Sequence, residues 1–284
     1  MEILKYDVII IGGGLTGLRA AAAVYHASLG RLSTAIISKV PPMRSHSIAA
    51  EGGMAAVLYP ELTGDSYEQH AYDTVKGGDF LVDQDAALLL AQEAPKEIWF
   101  LEKIGVPWNR DSEGRIALRR FGGMSRPRTA FAQDKTGLHI MSKLYAYVNR
   151  LKAFDFYTDF IVTKLVIEGG EFRGVVGLDL KRGETRAFLA KAGIIATGGA
   201  GRLYKFTTNS YIVTGEMLGF AIEAGIALKD MEFVQWHPTA LVPSGVLISE
   251  AARAEGAYLV NKEGGAVHVP LLRAGGARPA RRGV

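Results

Sequence analysis

One histidine with small neighbours raises the first chemical question of this sequence. His46 lies in the stretch MRSHSIAAEGG, between Arg44 and the glycine pair Gly52 and Gly53. A metal site needs several ligands, and no Cys, His or Asp lies within five positions of His46. The stretch therefore indicates a role for the imidazole other than metal binding.

A glycine turn near the N-terminus indicates nucleotide binding. The residues YDVIIIGGGLTGLRAAAAV predict an apolar strand at 7–11, a turn, and a helix from about Leu15. The spacing Gly12-x-Gly14-x-x-Gly17 puts one glycine in the tight turn, one where backbone approaches a pyrophosphate, and one where the helix packs on the strand. Amides at the helix N-terminus would then bind the phosphates.

The second predicted strand, STAIISK, ends without the acidic residue that usually binds the ribose of a dinucleotide. Ser38 and Lys39 stand there instead. The cation of Lys39 is compatible with a 2′-phosphate, so the strand end alone leaves the nucleotide open.

The composition predicts an α/β enzyme. The chain has 284 residues, 48% hydrophobic and 22% charged residues and 34 glycines, and no apolar run is long enough to span a membrane. The start MEILKYD has neither a basic region nor a cleavage site, so we expect no signal peptide and a cytoplasmic chain. The absence of cysteine excludes disulfides, thiol catalysis and cysteine-ligated iron–sulfur clusters on this chain.

The charge distribution does not favour nucleic-acid binding. The formal net charge is +4, but the basic residues are scattered except for four arginines among the last twelve residues. We expect no nucleic-acid partner.

Several blocks in order resemble one family. They are GGGLTGLRAA, RSHSIAAEGG, VKGGDFLVDQDA, GRIALRRFGG, DKTGLHIMSKLY, IIATGGAGRLY and DMEFVQWHPTALVPSGVLISEAARAEGAYLVNKEG. At this spacing, from Tyr6 to Gly264, the chain resembles the flavoprotein subunit of succinate dehydrogenase and fumarate reductase.

The resemblance implies a covalent FAD. The family joins the histidine of its R-S-H-[ST] motif to the 8α carbon of the flavin, and His46 occupies that position. Such a link raises the flavin potential enough for hydride transfer from succinate. The cofactor-binding residues expected are Gly12, Gly14, Leu15, Thr16, Gly17, Ser38, Lys39, Ser45, His46, Ser47, Ala50, Gly52, Gly53, Phe160, Ile161, Val162, Ala196, Thr197, Gly198 and Glu216.

The resemblance also implies the fold. We expect an α/β, Rossmann-like FAD-binding domain at 1–232 and the beginning of an α+β capping domain at 233–264. Residues 156–192 predict short strands with turns at 169–170 and 181–183, and these strands resemble the antiparallel layer inserted in such flavin domains.

The substrate side of the family corresponds to the segment after residue 232. His237 matches a dicarboxylate-binding histidine, Ser249 would bond a substrate carboxylate, and Glu250 with Arg253 would relay protons. In the family, the proton relay leads to an acid-base arginine in a later R-D-V motif. The chain differs from the family before this segment, because Glu216 and Met217 stand where the family's T-G-D-G has its aspartate and second glycine.

Residues 265–284 do not match the family, which continues with E-R-F-M and later L-A-P-R-D-V-V. Gly-Ala-Val-His can be encoded GGA-GCG-GTT-CAT, and a one-base displacement reads GAG-CGG-TTC-ATG, which is Glu-Arg-Phe-Met. We therefore hypothesise a frameshift or a sequencing error, which resequencing the locus would test. A solvated basic tail is the alternative, and under the frameshift we expect this chain alone to be inactive.

The function expected is oxidation of succinate to fumarate, or the reverse. Electrons would pass to an iron–sulfur subunit, a membrane anchor and quinone, with the flavoprotein peripheral on the cytoplasmic side of the membrane. Fumarate reduction as the physiological direction, L-aspartate oxidase with non-covalent FAD, and a non-enzymatic FAD-binding fragment are the alternatives. His46 argues against L-aspartate oxidase, which typically lacks a histidine at the flavin-linking position.

Overall fold

A computed structural model describes residues 1–237, 239–248, 252 and 256–267 and has a mixed α/β architecture. The strands are β1 (Glu2–Ile11), β2 (Thr34–Ser38), β3 (Met54–Ala55), β4 (Leu118–Arg119), β5 (Thr129–Ala130), β6 (Phe154–Thr158), β7 (Phe160–Glu168), β8 (Glu171–Asp179), β9 (Glu184–Ile195), β10 (Leu259–Val260) and β11 (Ala266–Val267). The helices are α1 (Leu15–Ser28), α2 (Pro60–Thr63), α3 (Tyr67–Gly77), α4 (Gln84–Lys103), α5 (Thr136–Leu151) and α6 (Glu216–Glu223).

A six-stranded sheet with the order β6-β2-β1-β9-β8-β7 forms the centre. The pairs β6–β2, β2–β1 and β1–β9 are parallel, whereas β9–β8 and β8–β7 are antiparallel. This arrangement confirms the predicted Rossmann-like α/β fold with inserted antiparallel strands.

The antiparallel strands differ from the expectation in one respect, because they extend the central sheet and do not form a separate layer. Strand β9 pairs with β1 over residues 186–195 and with β8 over residues 184–189. One long strand therefore joins the parallel and the antiparallel parts. The same pairing with β9 lets β1 begin at Glu2, earlier than the predicted strand at 7–11.

Consecutive apolar residues at the end of β1 pack on both faces of the sheet. Ile10 is buried in a cluster with Leu18 of α1 and Leu144 of α5, while Ile9 is buried on the opposite face with Phe160 and Phe188. Successive side chains of a strand point to opposite faces, so a continuous apolar run predicts a strand covered on both sides. This burial holds the carboxyl end of β1, where the glycine turn begins.

A buried ion cluster supports the small sheet beside this core. Arg128, only 1% exposed, donates two hydrogen bonds of 2.8 Å to Asp65 and one of 2.7 Å to Asp73. The following residues Thr129 and Ala130 pair with Met54 and Ala55 in β5–β3. The cluster thereby positions the strand that follows the glycine pair after His46.

The segment predicted to begin the capping domain, 233–264, contains a bridge between Ala240 and Leu247 and the strand β10, which pairs with β11 in the following residues 265–284. The boundary at residue 232 stays a prediction. Within the described part of the chain, none of the helices has the length and apolarity needed to cross a membrane.

Candidate functional site

The glycine turn between β1 and α1 is built so closely that side chains are excluded. Gly12 has φ +113°, and a Cβ on it would lie 2.2 Å from the carbonyl oxygen of Ala196. A Cβ on Gly17 would lie 1.8 Å from the carbonyl oxygen of Gly12. Both positions therefore require glycine, for the reasons that the sequence motif predicts.

The N-terminus of α1 is suited to an anion. Its N-cap residue, Gly14, supplies no side-chain cap, and the first turn contains no acidic residue. The backbone N–H of Leu15 donates to Ser47 Oγ at 3.2 Å, which ties the helix start to the turn that contains His46. Backbone amides of a first helical turn and the positive end of the helix dipole favour a phosphate at this position.

A cavity of about 790 Å³ opens at the carboxyl ends of β1 and β2. It is lined by most of the predicted cofactor-binding residues, namely Gly12, Gly14, Leu15, Thr16, Ser38, Lys39, Ser45, His46, Ser47, Ala50, Phe160, Ile161, Val162, Ala196, Thr197, Gly198 and Glu216. Ligand pockets of α/β sheets typically lie at this edge. The individual contacts of these residues with FAD stay predictions.

Three predicted residues do not line the cavity. Gly17 packs helix on strand, as its close approach to Gly12 requires. A Cβ on Gly53, which has φ +127°, would lie 2.4 Å from the carbonyl oxygen of Ala130. Gly53 therefore packs against β5, and the Gly52 carbonyl accepts a hydrogen bond of 2.6 Å from Arg119.

His46 lies in a short 3₁₀ turn, His46–Ala49, and contributes to the cavity wall. Its Nδ1 accepts a hydrogen bond of 3.4 Å from the backbone N–H of Ser210. Burial lowers the pKa of the His46 imidazole, which favours the neutral ring. Because Nδ1 accepts this hydrogen bond, Nε2 is the ring nitrogen that remains for a bond to a ligand.

Lys39 at the end of β2 is joined to the segment before α6. Its Nζ donates to Thr214 Oγ1 at 2.7 Å and to the Ile212 carbonyl at 3.3 Å, and it forms an ion pair with Glu216. Burial would raise the pKa of Glu216, but hydrogen bonds from Lys39 and Thr214 outweigh it and lower the pKa. Glu216 is therefore ionised near neutral pH.

The cavity fits FAD in size and in the groups that it offers. Its volume lies within the range of about 300–1,000 Å³ that is common for ligand pockets. Gly14, the second glycine of the motif, lines the cavity without a side chain, which suits backbone that approaches a pyrophosphate. The Oγ of Ser45 lies buried in the cavity wall with no hydrogen-bond partner among the described residues, so a ligand atom could satisfy it.

The predicted substrate residues are described only in part. Ser249, Glu250 and Arg253 lie outside the described residues. His237 is described but does not line the cavity; its Nδ1 contacts the Thr239 carbonyl at 2.9 Å. Its Nε2 is buried with no hydrogen-bond partner in the part of the chain that the structure covers. The substrate roles of these four residues stay predictions.

Sequence reasoning missed part of the cavity wall. Residues 208–213 and 244–247 line it together with the predicted residues. The first segment precedes Gly215 and Glu216, but it has no pattern of its own that indicates cofactor binding. Only its contacts with His46 and Lys39 place it at the site.

The sequence resembles known flavoproteins along most of its length. The fumarate reductase flavoprotein subunit of Mycobacterium tuberculosis is 48% identical over 260 residues, which cover 92% of this chain. The succinate dehydrogenase flavoprotein subunit of Rickettsia bellii is 44% identical over 268 residues. The chain spans only 44% of the length of each of these relatives.

A solved structure of Escherichia coli quinol fumarate reductase matches the fold with a TM-score of 0.89 and 44% sequence identity. The match covers 93% of this chain and 44% of that one. Residues 7–271 also match the family described as FAD binding domain. Because this match takes in nearly the whole chain, including the glycine turn and the cavity wall, the chain belongs to the FAD binding domain family.

Proposed function

We propose that this chain provides the FAD-binding part of a flavoprotein that oxidises succinate to fumarate, or performs the reverse reaction. We further propose that FAD is attached covalently through His46. The observation that carries the proposal is the placement of His46 in the wall of the FAD cavity, with Nδ1 bound by the Ser210 amide. Similarity to fumarate reductase and succinate dehydrogenase flavoprotein subunits supports the reaction class.

Different residues of the chain would bind the cofactor and the substrate. Amides of the glycine turn and the start of α1 would bind the pyrophosphate, and Ser45 and His46 would contact the flavin end of the cofactor. Bound FAD would supply the two-electron acceptor or donor that the side chains lack. His237 and Ser249 would bind the dicarboxylate, and Glu250 with Arg253 would move protons.

The proposal requires an external electron partner. The chain has no cysteine, so a cysteine-ligated iron–sulfur cluster would have to lie on another subunit. We propose an iron–sulfur subunit with a membrane anchor that passes electrons to quinone, with this chain peripheral on the cytoplasmic side. One related solved structure is a quinol-fumarate reductase with menaquinol molecules, which supports a quinone as the final partner.

Fumarate reduction as the working direction is the second candidate. The fumarate reductase of Mycobacterium tuberculosis is 48% identical to this chain, against 44% for the succinate dehydrogenase of Rickettsia bellii. Activity measured in both directions, in the enzyme assembled with its partner subunits, would decide between them.

Acid precipitation tests the covalent cofactor. We expect the protein precipitated with trichloroacetic acid to keep yellow flavin fluorescence, whereas H46S would release its flavin into the supernatant. Flavin that is released entirely from the unmodified protein would exclude the histidyl link and favour a non-covalent flavoprotein such as L-aspartate oxidase. Absence of flavin from both the protein and the supernatant would contradict FAD binding itself.

A further inference from the structure

The end of β2 lacks the carboxylate expected at an adenosine ribose. Ser38 and Lys39 occupy this position, and Ser38 Oγ already accepts a hydrogen bond of 3.2 Å from the N–H of Gly13. In Rossmann-type sites an acidic residue here binds the ribose 2′-hydroxyl, whereas a cation accommodates a 2′-phosphate. The strand end alone is thus compatible with a phosphorylated ribose, which FAD does not have.

The fold brings a carboxylate to this strand end from a distant segment. Glu216, the first residue of α6, forms an ion pair with Lys39, and both residues line the cavity. The side chain of Lys39 is 26% exposed and that of Glu216 is 33% exposed, so solvent screens the ion pair incompletely.

The hydrogen-bond capacity of Lys39 is already used. An ammonium group has three N–H donors. The Ile212 carbonyl, Thr214 Oγ1 and the Glu216 carboxylate account for them. A phosphate on the ribose would have to displace one of these partners and would also lie beside the negative charge of Glu216.

The carboxylate of Glu216, by contrast, keeps acceptor capacity. One oxygen pairs with Lys39 and the other accepts from the Thr214 hydroxyl. A carboxylate offers about four lone-pair positions, so a ribose hydroxyl can still donate to it.

We propose that Glu216 and Lys39 act as one specificity element at the adenosine end of the FAD site. The Glu216 carboxylate replaces the acidic residue missing from β2, accepts a ribose hydroxyl, and neutralises Lys39 so that nucleotides with a phosphate on this ribose are excluded. The inference rests on the proposed FAD site. It assigns Glu216 to the adenosine ribose, whereas the family resemblance implies only that this residue contacts the cofactor.

Paired nucleotides that differ only in the 2′-phosphate test the proposal. ADP-ribose and 2′-phospho-ADP-ribose are titrated calorimetrically into the flavin-free 284-residue protein, and FAD is titrated in parallel. We expect the unmodified protein to prefer ADP-ribose by about tenfold or more, because like charges oppose the phosphate. E216Q should move the ratio by about tenfold toward the phosphorylated probe, since it frees the cation of Lys39. E216D keeps the charge and should retain the original preference.

K39M keeps Glu216 and therefore gives a test that does not depend on the folding of E216Q, and K39M/E216Q tests the two residues together. K39M leaves the carboxylate without its cation, so discrimination against the 2′-phosphate should increase. In K39M/E216Q the shift toward 2′-phospho-ADP-ribose that is expected for E216Q should disappear. An unchanged ratio in E216Q, or in K39M if E216Q does not fold, with normal FAD binding, would overturn the specificity element alone. Failure of the unmodified protein to bind FAD would instead overturn the proposed function together with this inference.

Discussion

The backbone N–H of Ser210 donates a hydrogen bond of 3.4 Å to Nδ1 of His46, a residue 164 positions earlier in the chain. The bond joins the segment before α6 to the 3₁₀ turn that carries the imidazole. It assigns Nδ1 as the acceptor and so orients the ring from one side. A backbone donor achieves this whatever side chain residue 210 carries.

The first prediction concerns this donor. S210P removes the N–H, whereas S210A keeps it and removes only the hydroxyl. We expect S210P to lower the acid-stable flavin content by about fivefold, because one hydrogen bond contributes about 1 kcal/mol to the ring orientation. The flavin absorbance of acid-precipitated protein measures this content. S210A should behave like the unmodified protein, and circular dichroism should show that both variants are folded. Equal flavin content in the two variants would remove the role assigned to the amide.

The second prediction concerns the proposed covalent bond between His46 and FAD. H46S should keep FAD but lose succinate oxidation more than fumarate reduction, because the proposed link would raise the potential of the flavin. The measurement compares both directions in the enzyme assembled with its partner subunits, along with the redox potential of the bound flavin. Equal loss in the two directions would contradict the argument from potential.

The third prediction concerns the glycine turn. G17A places a Cβ 1.8 Å from the Gly12 carbonyl oxygen, so it should lower both the free energy of unfolding and FAD affinity. G219A is the matched control, because Gly219 lies in α6 with nothing within 4 Å of the added Cβ. We expect G219A to stabilise the protein by about 0.5–1 kcal/mol through helix propensity. Urea denaturation and FAD titration measure the two effects, and a stable, FAD-binding G17A would show that the turn tolerates a side chain.

The fourth prediction concerns the buried cluster. R128A leaves Asp65 and Asp73 buried without their cation, and their side chains are 0% and 9% exposed. We expect the free energy of unfolding to fall by about 3–5 kcal/mol, the cost typical of a broken buried ion pair. The exposed Arg182 provides a control, since R182A should change the free energy of unfolding by no more than about 0.5 kcal/mol. Urea denaturation measures both, and a similar small effect for R128A would show that the cluster contributes little stability.

The fifth prediction concerns the pH dependence of stability. His70 is 4% exposed beside Arg128, Asp65 and Asp73. Burial, followed by the charge of Arg128, lowers the pKa of His70 below its ordinary value of 6.5, although the two aspartates oppose this shift. As the pH falls, the unfolded chain therefore binds the proton of His70 before the folded chain does. The contribution of neutral His70 to the free energy of unfolding should be fully present above pH 6.5 and should decrease as the pH falls below it.

Unfolding measured by urea between pH 7.5 and pH 5 checks this dependence. H70Q removes the titrating group and should flatten the curve. His46 contributes in the same direction, since burial also lowers its pKa, so some slope should remain. An H70Q curve as steep as that of the unmodified protein would exclude His70 as a source of the effect.

Local pattern determined the parts of the site that lie close together in the chain. The apolar run before Gly12, the glycine spacing and the alanine-rich helix predict the turn between β1 and α1, because each depends on neighbouring backbone geometry. The turns at 169–170 and 181–183 likewise predict the boundaries of β7, β8 and β9. Local pattern excludes a metal site at His46, and only the family resemblance of the R-S-H-S block indicates that this residue would bind the flavin.

Tertiary structure alone decided which distant segments meet. Periodicity and spacing describe the surroundings of a residue within a few positions, and they contain no information about a partner far along the chain. The donor to His46 is a backbone amide, which every residue except proline has, so no side chain could reveal Ser210. The carboxylate at the end of β2 comes from Glu216, because folding of the sheet places α6 beside that strand end.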